Sequence, residues 1–391
     1  MSIDLAADVT ADFAAIRRQE FPITESGSYL DNAARGPLPR SYTHVVGEFL
    51  REMSERMPAR NSELLIEETR GRAARLLNCG AEEVALLATT SQGLNLVPGG
   101  LDWRAGDEVI LYEMDHPTDI YAWLNLTDRG VTARFVKDRG GRYEAEDVER
   151  LIGPRTRAVC LSLVNYGHGF RAPMEAIGEI CRRRGIWLVV DAIMALGALR
   201  VDAPSLGADI IAAHGYKFLL SGFGVAVCYC SPRARRELRV AEVGYKGMER
   251  VMDYARHLPN FQLLAGRPLD FTTAARRFEA GTQALAVVVG MKATLDLMLS
   301  VGVDAIENRI FGLVARLLEG LLAKGYQVAG SIRDGERSAI VSFTRPGMDV
   351  AEVSRGLRER RIHHHTLHQR IRLSPHFYND PNDLEAAIAC L

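Results

Sequence analysis

Trp187-Leu188-Val189-Val190-Asp191 is an unbroken apolar run that ends on an acid, and runs like it recur through the middle of the chain, at 84–88, 108–112, 133–136, 158–164 and 210–213. A run with no polar alternation is a strand buried on both faces. Helical stretches such as 174–184 separate several of them, and this strand–helix alternation predicts a mostly parallel sheet sandwiched between helices. Sheets of that kind present their chemistry at the C-terminal tips of the strands. Two side chains fall there: Asp191, and Lys217 in Ala212-Ala213-His214-Gly215-Tyr216-Lys217.

A chain of 391 residues exceeds what one core supports, so two domains are expected. The reading is a helix and lead-in over 1–28, a large α/β domain over 29–275 with a seven-stranded type of sheet, and a smaller α+β domain over 276–391. In the lead-in, Leu5, Val9, Phe13 and Ile16 mark an amphipathic helix; a second helical region over 40–78 is interrupted near Pro58. Residues 225–230 read as a strand near a sheet edge. The polar, aperiodic segment 233–275 reads as loop or subunit-contact material, and 326–329 and 339–344 as short strands.

A formal net charge of −1 gives no reason to expect nucleic acid or an anionic membrane as partner. No stretch approaches the roughly 20 apolar residues of a membrane span, and the N-terminus, with Asp4 and Asp8, lacks a signal-peptide pattern. The 6 cysteines are scattered, mostly within apolar runs, and Cys228-Tyr229-Cys230 has strand rather than zinc spacing. The expectation is a cytoplasmic protein with reduced thiols and no metal.

An acid and a lysine at neighbouring strand tips suit one small electron-withdrawing ring held at opposite ends. The amine forms a Schiff base with an aldehyde, and the acid keeps a pyridine nitrogen protonated; that is the demand of pyridoxal 5'-phosphate (PLP). Thr89-Thr90-Ser91-Gln92-Gly93 follows a strand and opens a helix, where hydroxyls and free amides bind phosphate. Asp115-His116-Pro117-Thr118-Asp119 begins at the end of the next strand, so His116 is placed to lie over the ring and to act as acid or base.

Together these segments resemble fold-type I PLP enzymes of the class V aminotransferase group, which includes cysteine desulfurases, selenocysteine lyases, kynureninase and isopenicillin N epimerase-like proteins. The resemblance runs from Tyr29-Leu30-Asp31-Asn32-Ala33-Ala34 to Arg372-Leu373-Ser374-Pro375-His376-Phe377-Tyr378-Asn379. It implies that Lys217 is the Schiff-base lysine, Asp191 the partner of the ring nitrogen and His116 the stacking residue. Thr90, Ser91 and Gln92 would hold the phosphate, with His214 and Tyr216 completing that site. Asn165 or Tyr166 would approach the phenolic oxygen, and Arg372 would grip the substrate α-carboxylate. Thr282, in Phe278-Glu279-Ala280-Gly281-Thr282, would reach the phosphate of a neighbouring subunit, which implies a homodimer with shared active sites.

The chain departs from the group in several places. Met194 stands three residues after the aspartate, where a Gln usually donates to the phenolic oxygen; a thioether cannot donate, and Tyr166 is the candidate replacement. The stretch Ile362-His363-His364-His365-Thr366-Leu367-His368-Gln369-Arg370 is short and holds no cysteine, whereas desulfurases carry a nucleophilic Cys before the carboxylate-binding arginine. Consecutive histidines on an extended segment point to alternate faces, which disfavours a metal. Gln283 replaces the Pro common after the Gly-Thr pair.

The resulting expectation is a PLP-dependent enzyme acting at Cα or Cβ of an L-amino acid, specifically a biosynthetic C–S β-lyase on a cysteine conjugate. Epimerisation, transamination and decarboxylating oxidative deamination stay open on the same scaffold. A catalytically silent PLP-binding protein is disfavoured by the intact Lys217, Asp191 and Arg372. A nicotinamide dehydrogenase is disfavoured because no G-x-G-x-x-G turn follows an early strand; Gly222-Phe223-Gly224 is late and incomplete.

Overall fold

The computed structural model describes residues 11–56, 62–250, 266 and 268–391. Its centre is a 7-stranded sheet in the order β2-β8-β7-β6-β5-β3-β4. The strands are β2 (Val84–Leu87), β3 (Glu108–Tyr112), β4 (Thr132–Val136), β5 (Thr156–Ser162), β6 (Trp187–Asp191), β7 (Ile210–His214) and β8 (Ala226–Cys230). β4, β3, β5, β6 and β7 pair in parallel, and only β8 runs against its neighbours. Every residue of β2, β6, β7 and β8 is buried, as unbroken apolar runs require when both faces are covered. β8 lies one position in from the edge strand β2.

One apolar cluster fills the side of the sheet that meets the helices Val303–Ala323 and Pro381–Cys390; a second fills the side beneath Trp103, Trp123 and Phe278. The helix Thr90–Leu94 sits on β7 and β8 at Gly93. A Cβ on Gly93 would come within 2.7 Å of the Ala212 Cβ, so glycine is what lets this helix reach the sheet and set Thr90 and Ser91 beside the strand tips.

A 4-stranded sheet in the order β12-β13-β10-β9 is built from β9 (Gln327–Val328), β10 (Val341–Thr344), β12 (His365–Leu367) and β13 (Arg370–Leu373). The N-terminal strand β1 (Ser28–Tyr29) pairs with β11 (Ile362–His363), and Asp31 bridges to Ser374, so the lead-in is tied to the C-terminal part of the chain. The helix Leu285–Val301 packs chiefly on the helices Arg40–Glu55 and Ser62–Leu76.

The amphipathic helix of the lead-in occupies Phe13–Glu20; Leu5 and Val9 lie outside the described residues. The helical region over 40–78 divides into Arg40–Glu55 and Ser62–Leu76, and Pro58 lies outside the described residues. The segment 233–275 holds, among its described residues, the end of the helix Pro232–Glu237 and a 3-10 turn at Tyr245–Gly247.

Candidate active site

The tips of β2, β3, β5, β6 and β7 all point to one end of the sheet, and a cavity of about 350 Å³ opens there. Lys217 and Asp191 both line it. Lys217 is 8 % exposed; among the described residues the one hydrogen-bond partner of its Nζ is the Met194 thioether at 3.7 Å, with the Tyr216 ring centre 5.6 Å away, too little to compensate a buried ammonium. Burial therefore pushes its pKa down to about 8, against the opposing pull of Asp191. The amine is poised near neutrality, as a nucleophile toward an aldehyde must be.

Asp191 ends β6 and accepts from the Ile193 N–H at 2.8 Å. Beside it lie two further buried acids that sequence reasoning left unassigned. Asp115 accepts from the Ser162 N–H at 3.0 Å, and Asp119 lies 3.1 Å from the Ser162 hydroxyl; Ser162 is paired in register with Asp191 on the next strand. Burial raises the pKa of all three carboxyls. The negative charge of Asp191 raises Asp119 further, whereas the Ile193 N–H and the charge of Lys217 hold Asp191 down. Asp119, with one oxygen unpartnered, is the carboxyl that favours its proton, and Asp191, beside the charge of Lys217, the one that favours its charge. The sequence carried one signal of this: Asp115 and Asp119 flank the N-cap His116 at the end of β3, where the chain turns into the helix Pro117–Leu124.

Thr90, Ser91, His116, Tyr166, His214 and Tyr216 also line the cavity. The Thr90 hydroxyl is buried with no hydrogen-bond partner, an orphan that a phosphate oxygen would satisfy. His116 caps the helix Pro117–Leu124 by accepting from the Thr118 N–H, and its ring meets Tyr166 edge-on at 5.1 Å. Partial burial, aided by the charge of Lys217, lowers its pKa, so the imidazole stays neutral to a lower pH than a free histidine. His214 lies within bonding distance of the Tyr216 and Gly224 N–H groups, and burial pushes it down to about 4.

Other residues anticipated for the site lie elsewhere. The Gln92 side chain accepts from Ala88 N–H and donates to Glu242 at 2.5 Å, outside the cavity. Asn165 is 2 % exposed and braces two turns: its amide donates to Met114 O, and its oxygen accepts from Gly167 N–H. Thr282 is exposed and pairs with the Tyr245 hydroxyl at 2.9 Å. Arg372 is 3 % exposed beside the cavity; Nη1 donates to Tyr166 O at 2.8 Å, Nη2 is 3.7 Å from Asp31, and Nε has no partner.

The three consecutive histidines do alternate in direction. His363 packs on Tyr29, His364 bonds Ser354 and Ile362 O, and His365 faces Asp31. Where desulfurases are expected to carry a cysteine, the chain has a tight hairpin, β12–β13, turned by His368 and Gln369 at positive φ. None of the free cysteines lines the cavity.

A lysine near neutrality, a buried acid on the adjoining strand and an unsatisfied hydroxyl at a helix start fit a phosphorylated pyridine aldehyde. The fold and this site together define a PLP fold-type I enzyme. Residues 28–386 match the model of the class V aminotransferase family, and the chain belongs to that family; it is a PLP-dependent enzyme. Among curated relatives, a probable cysteine desulfurase of Pseudomonas aeruginosa is 30 % identical over 398 residues, covering 94 % of this chain and 95 % of the relative. A probable cysteine desulfurase of Methanothermobacter thermautotrophicus is 27 % identical, with 94 % of each covered. Among solved structures, the apo cysteine desulfurase of Thermococcus onnurineus superimposes with a TM-score of 0.84 at 23 % identity, with 96 % of each chain covered. The complex of the cystine C–S lyase C-DES with its product cysteine persulfide superimposes with 0.83 at 24 % identity, covering 94 % of this chain and 98 % of that one.

Proposed function

We propose that this protein is a C–S β-lyase acting on an S-substituted L-cysteine: the conjugate plus water gives pyruvate, ammonia and a thiol. The observation that carries the reading is the short hairpin between His363 and Arg372 together with the cysteine-free cavity. A desulfurase must hold the departing sulfur on a protein thiol, and this site offers none. The relatives are named for cysteine desulfuration and a structural neighbour for cystine C–S lysis, so the chemistry of a Cβ–S bond is the shared element.

When bound, PLP would withdraw electrons from Cα of the attached amino acid, which acidifies the Cα proton and lets a Cβ substituent leave. Asp191 is the charged acid at the end of the cavity where the ring nitrogen would sit, and Thr90 and Ser91 are the hydroxyls for the phosphate. Lys217, held near neutrality by burial, takes the Cα proton. Arg372, with one nitrogen unpartnered, receives the α-carboxylate. Tyr166 stands between His116 and Arg372 and keeps both in place. Thr282, exposed and braced by Tyr245, serves the phosphate of a second copy in a homodimer.

The test is incubation of PLP-loaded protein with an S-alkyl-L-cysteine in deuterated water, followed by mass spectrometry of products and recovered substrate. Pyruvate with free thiol is the expected result. Deuterium at Cα with the thioether intact overturns the reading in favour of epimerase or transaminase chemistry.

A further inference from the structure

Arg35 lies beside Phe223, a residue of the cavity wall, without an acid. Among the described residues it makes no ion pair, although it belongs to the same turn as Asp31. Its guanidinium lies 5.1 Å from the centre of the Phe223 ring, and Phe223 stacks on Tyr216 at 4.7 Å with an interplanar angle of 22°. Phe223 and Tyr216 both line the cavity, and Phe223 is 55 % exposed, so the cation is displayed over the opening rather than folded away.

The backbone that carries it is fixed. Arg35 N–H donates to Asp31 O at 3.0 Å, its own carbonyl accepts from the Tyr29 hydroxyl at 2.7 Å, and Gly36 N–H donates to Tyr216 O at 2.8 Å. A Cβ on Gly36 would fall 2.1 Å from Lys217 O, so the segment is pressed against the turn that holds the lysine. Its charge is felt inside the site, where it opposes the burial that raises the Tyr216 phenol.

The turn thus serves two arginines: Asp31 faces the nearly sealed Arg372, and Arg35 lies exposed on Phe223 of the cavity wall. A guanidinium laid on an aromatic ring keeps its planar fork of donors free for a carboxylate and loses little freedom on binding.

We propose that Arg35 is a specificity residue that reads a second anionic group at the far end of the substrate side chain. The substrate class is then a cysteine conjugate whose sulfur bears an acidic substituent. This rests on the lyase reading only for the identity of the reaction, since Arg372 and Arg35 would hold the two ends of any acidic amino acid.

The experiment compares S-carboxymethyl-L-cysteine with S-ethyl-L-cysteine on the holoenzyme. Native protein is expected to favour the acid in kcat/KM by about tenfold or more, the scale of a charged hydrogen bond. Arg35→Gln should bring that ratio toward one, Arg35→Lys should retain part of it, and Arg35→Glu should favour S-(2-aminoethyl)-L-cysteine instead. A ratio unchanged in Arg35→Gln, or both substrates falling together, overturns the proposal. If neither thioether is cleaved, the lyase reading has failed and binding still decides this one. Calorimetry should then show L-glutamate bound more tightly than L-norvaline by native protein, with the difference lost in Arg35→Gln; equal binding by native protein overturns it.

Discussion

The Ser162 hydroxyl lies 3.1 Å from Asp119 at the tip of a strand whose neighbour ends, in register, on Asp191. Three carboxyls crowd this point, and burial makes each costly to ionise. The Ile193 N–H and the charge of Lys217 favour a negative Asp191, and that charge in turn favours the proton on Asp119.

Replacing Asp119 with Asn should therefore alter stability in a pH-dependent way. A carboxyl whose folded pKa is raised above its ordinary 3.8 contributes fully below that value and loses its contribution as pH climbs toward the folded pKa. Asp119→Asn removes that loss. The stability of the variant relative to native apoprotein should improve steadily as pH rises above about 4, by about 1.4 kcal/mol for each pH unit over which the native group titrates. A flat difference across this range would mean that Asp119 does not titrate on folding.

Lys217 makes a prediction of opposite sign. Burial lowers its pKa to about 8, so the free amine is present above that pH rather than above 10.5. The rate at which apoprotein gains the visible absorbance of covalently attached PLP should rise with pH and level off near 8. Lys217→Ala should show no borohydride-fixable attachment in mass spectrometry while still binding PLP reversibly. Attachment in that variant would place the reactive amine elsewhere.

The positions of Asp191 and Lys217 were legible because Asp191 closes an apolar run and Lys217 follows soon after another, and a buried parallel strand ends where its apolar run ends. His116, Thr90, Ser91, His214 and Tyr216 follow those same strand tips, so they too converge as the sequence implied. What escaped was set by contacts between distant segments. Asp119 came near Asp191 because Ser162 of β5, which bonds it, is in register with Asp191 on β6. Arg35 came to lie on Phe223, at the cavity wall, through contacts between distant segments that no local pattern encodes. Gln92 lay on a well-placed turn, but its long side chain found Glu242.

That difference separates neighbours on one turn. Thr90→Val removes a buried hydroxyl that has no protein partner and should weaken PLP binding by about tenfold, the scale of a hydrogen bond to a charged group. Gln92→Ala removes a side chain engaged outside the cavity and should change the dissociation constant by less than about threefold. Fluorescence titration of apoprotein with PLP reads both, and the reverse ranking would show that Gln92 swings inward when the phosphate binds.

Arg372 gives the last test, because its roles in architecture and in binding can be separated. Nη1 holds the Tyr166 carbonyl, whereas Nε has no partner and Nη2 is 3.7 Å from Asp31. A substrate carboxylate would satisfy the free positions. Arg372→Ala should raise KM for amino acids by about a hundredfold, the upper end for a lost charge-assisted pair, while PLP affinity stays near native. Arg372→Lys restores charge but not the planar fork, so KM should recover only in part. If PLP affinity falls as steeply as substrate affinity, the arginine acts by holding Tyr166 and the turn behind it.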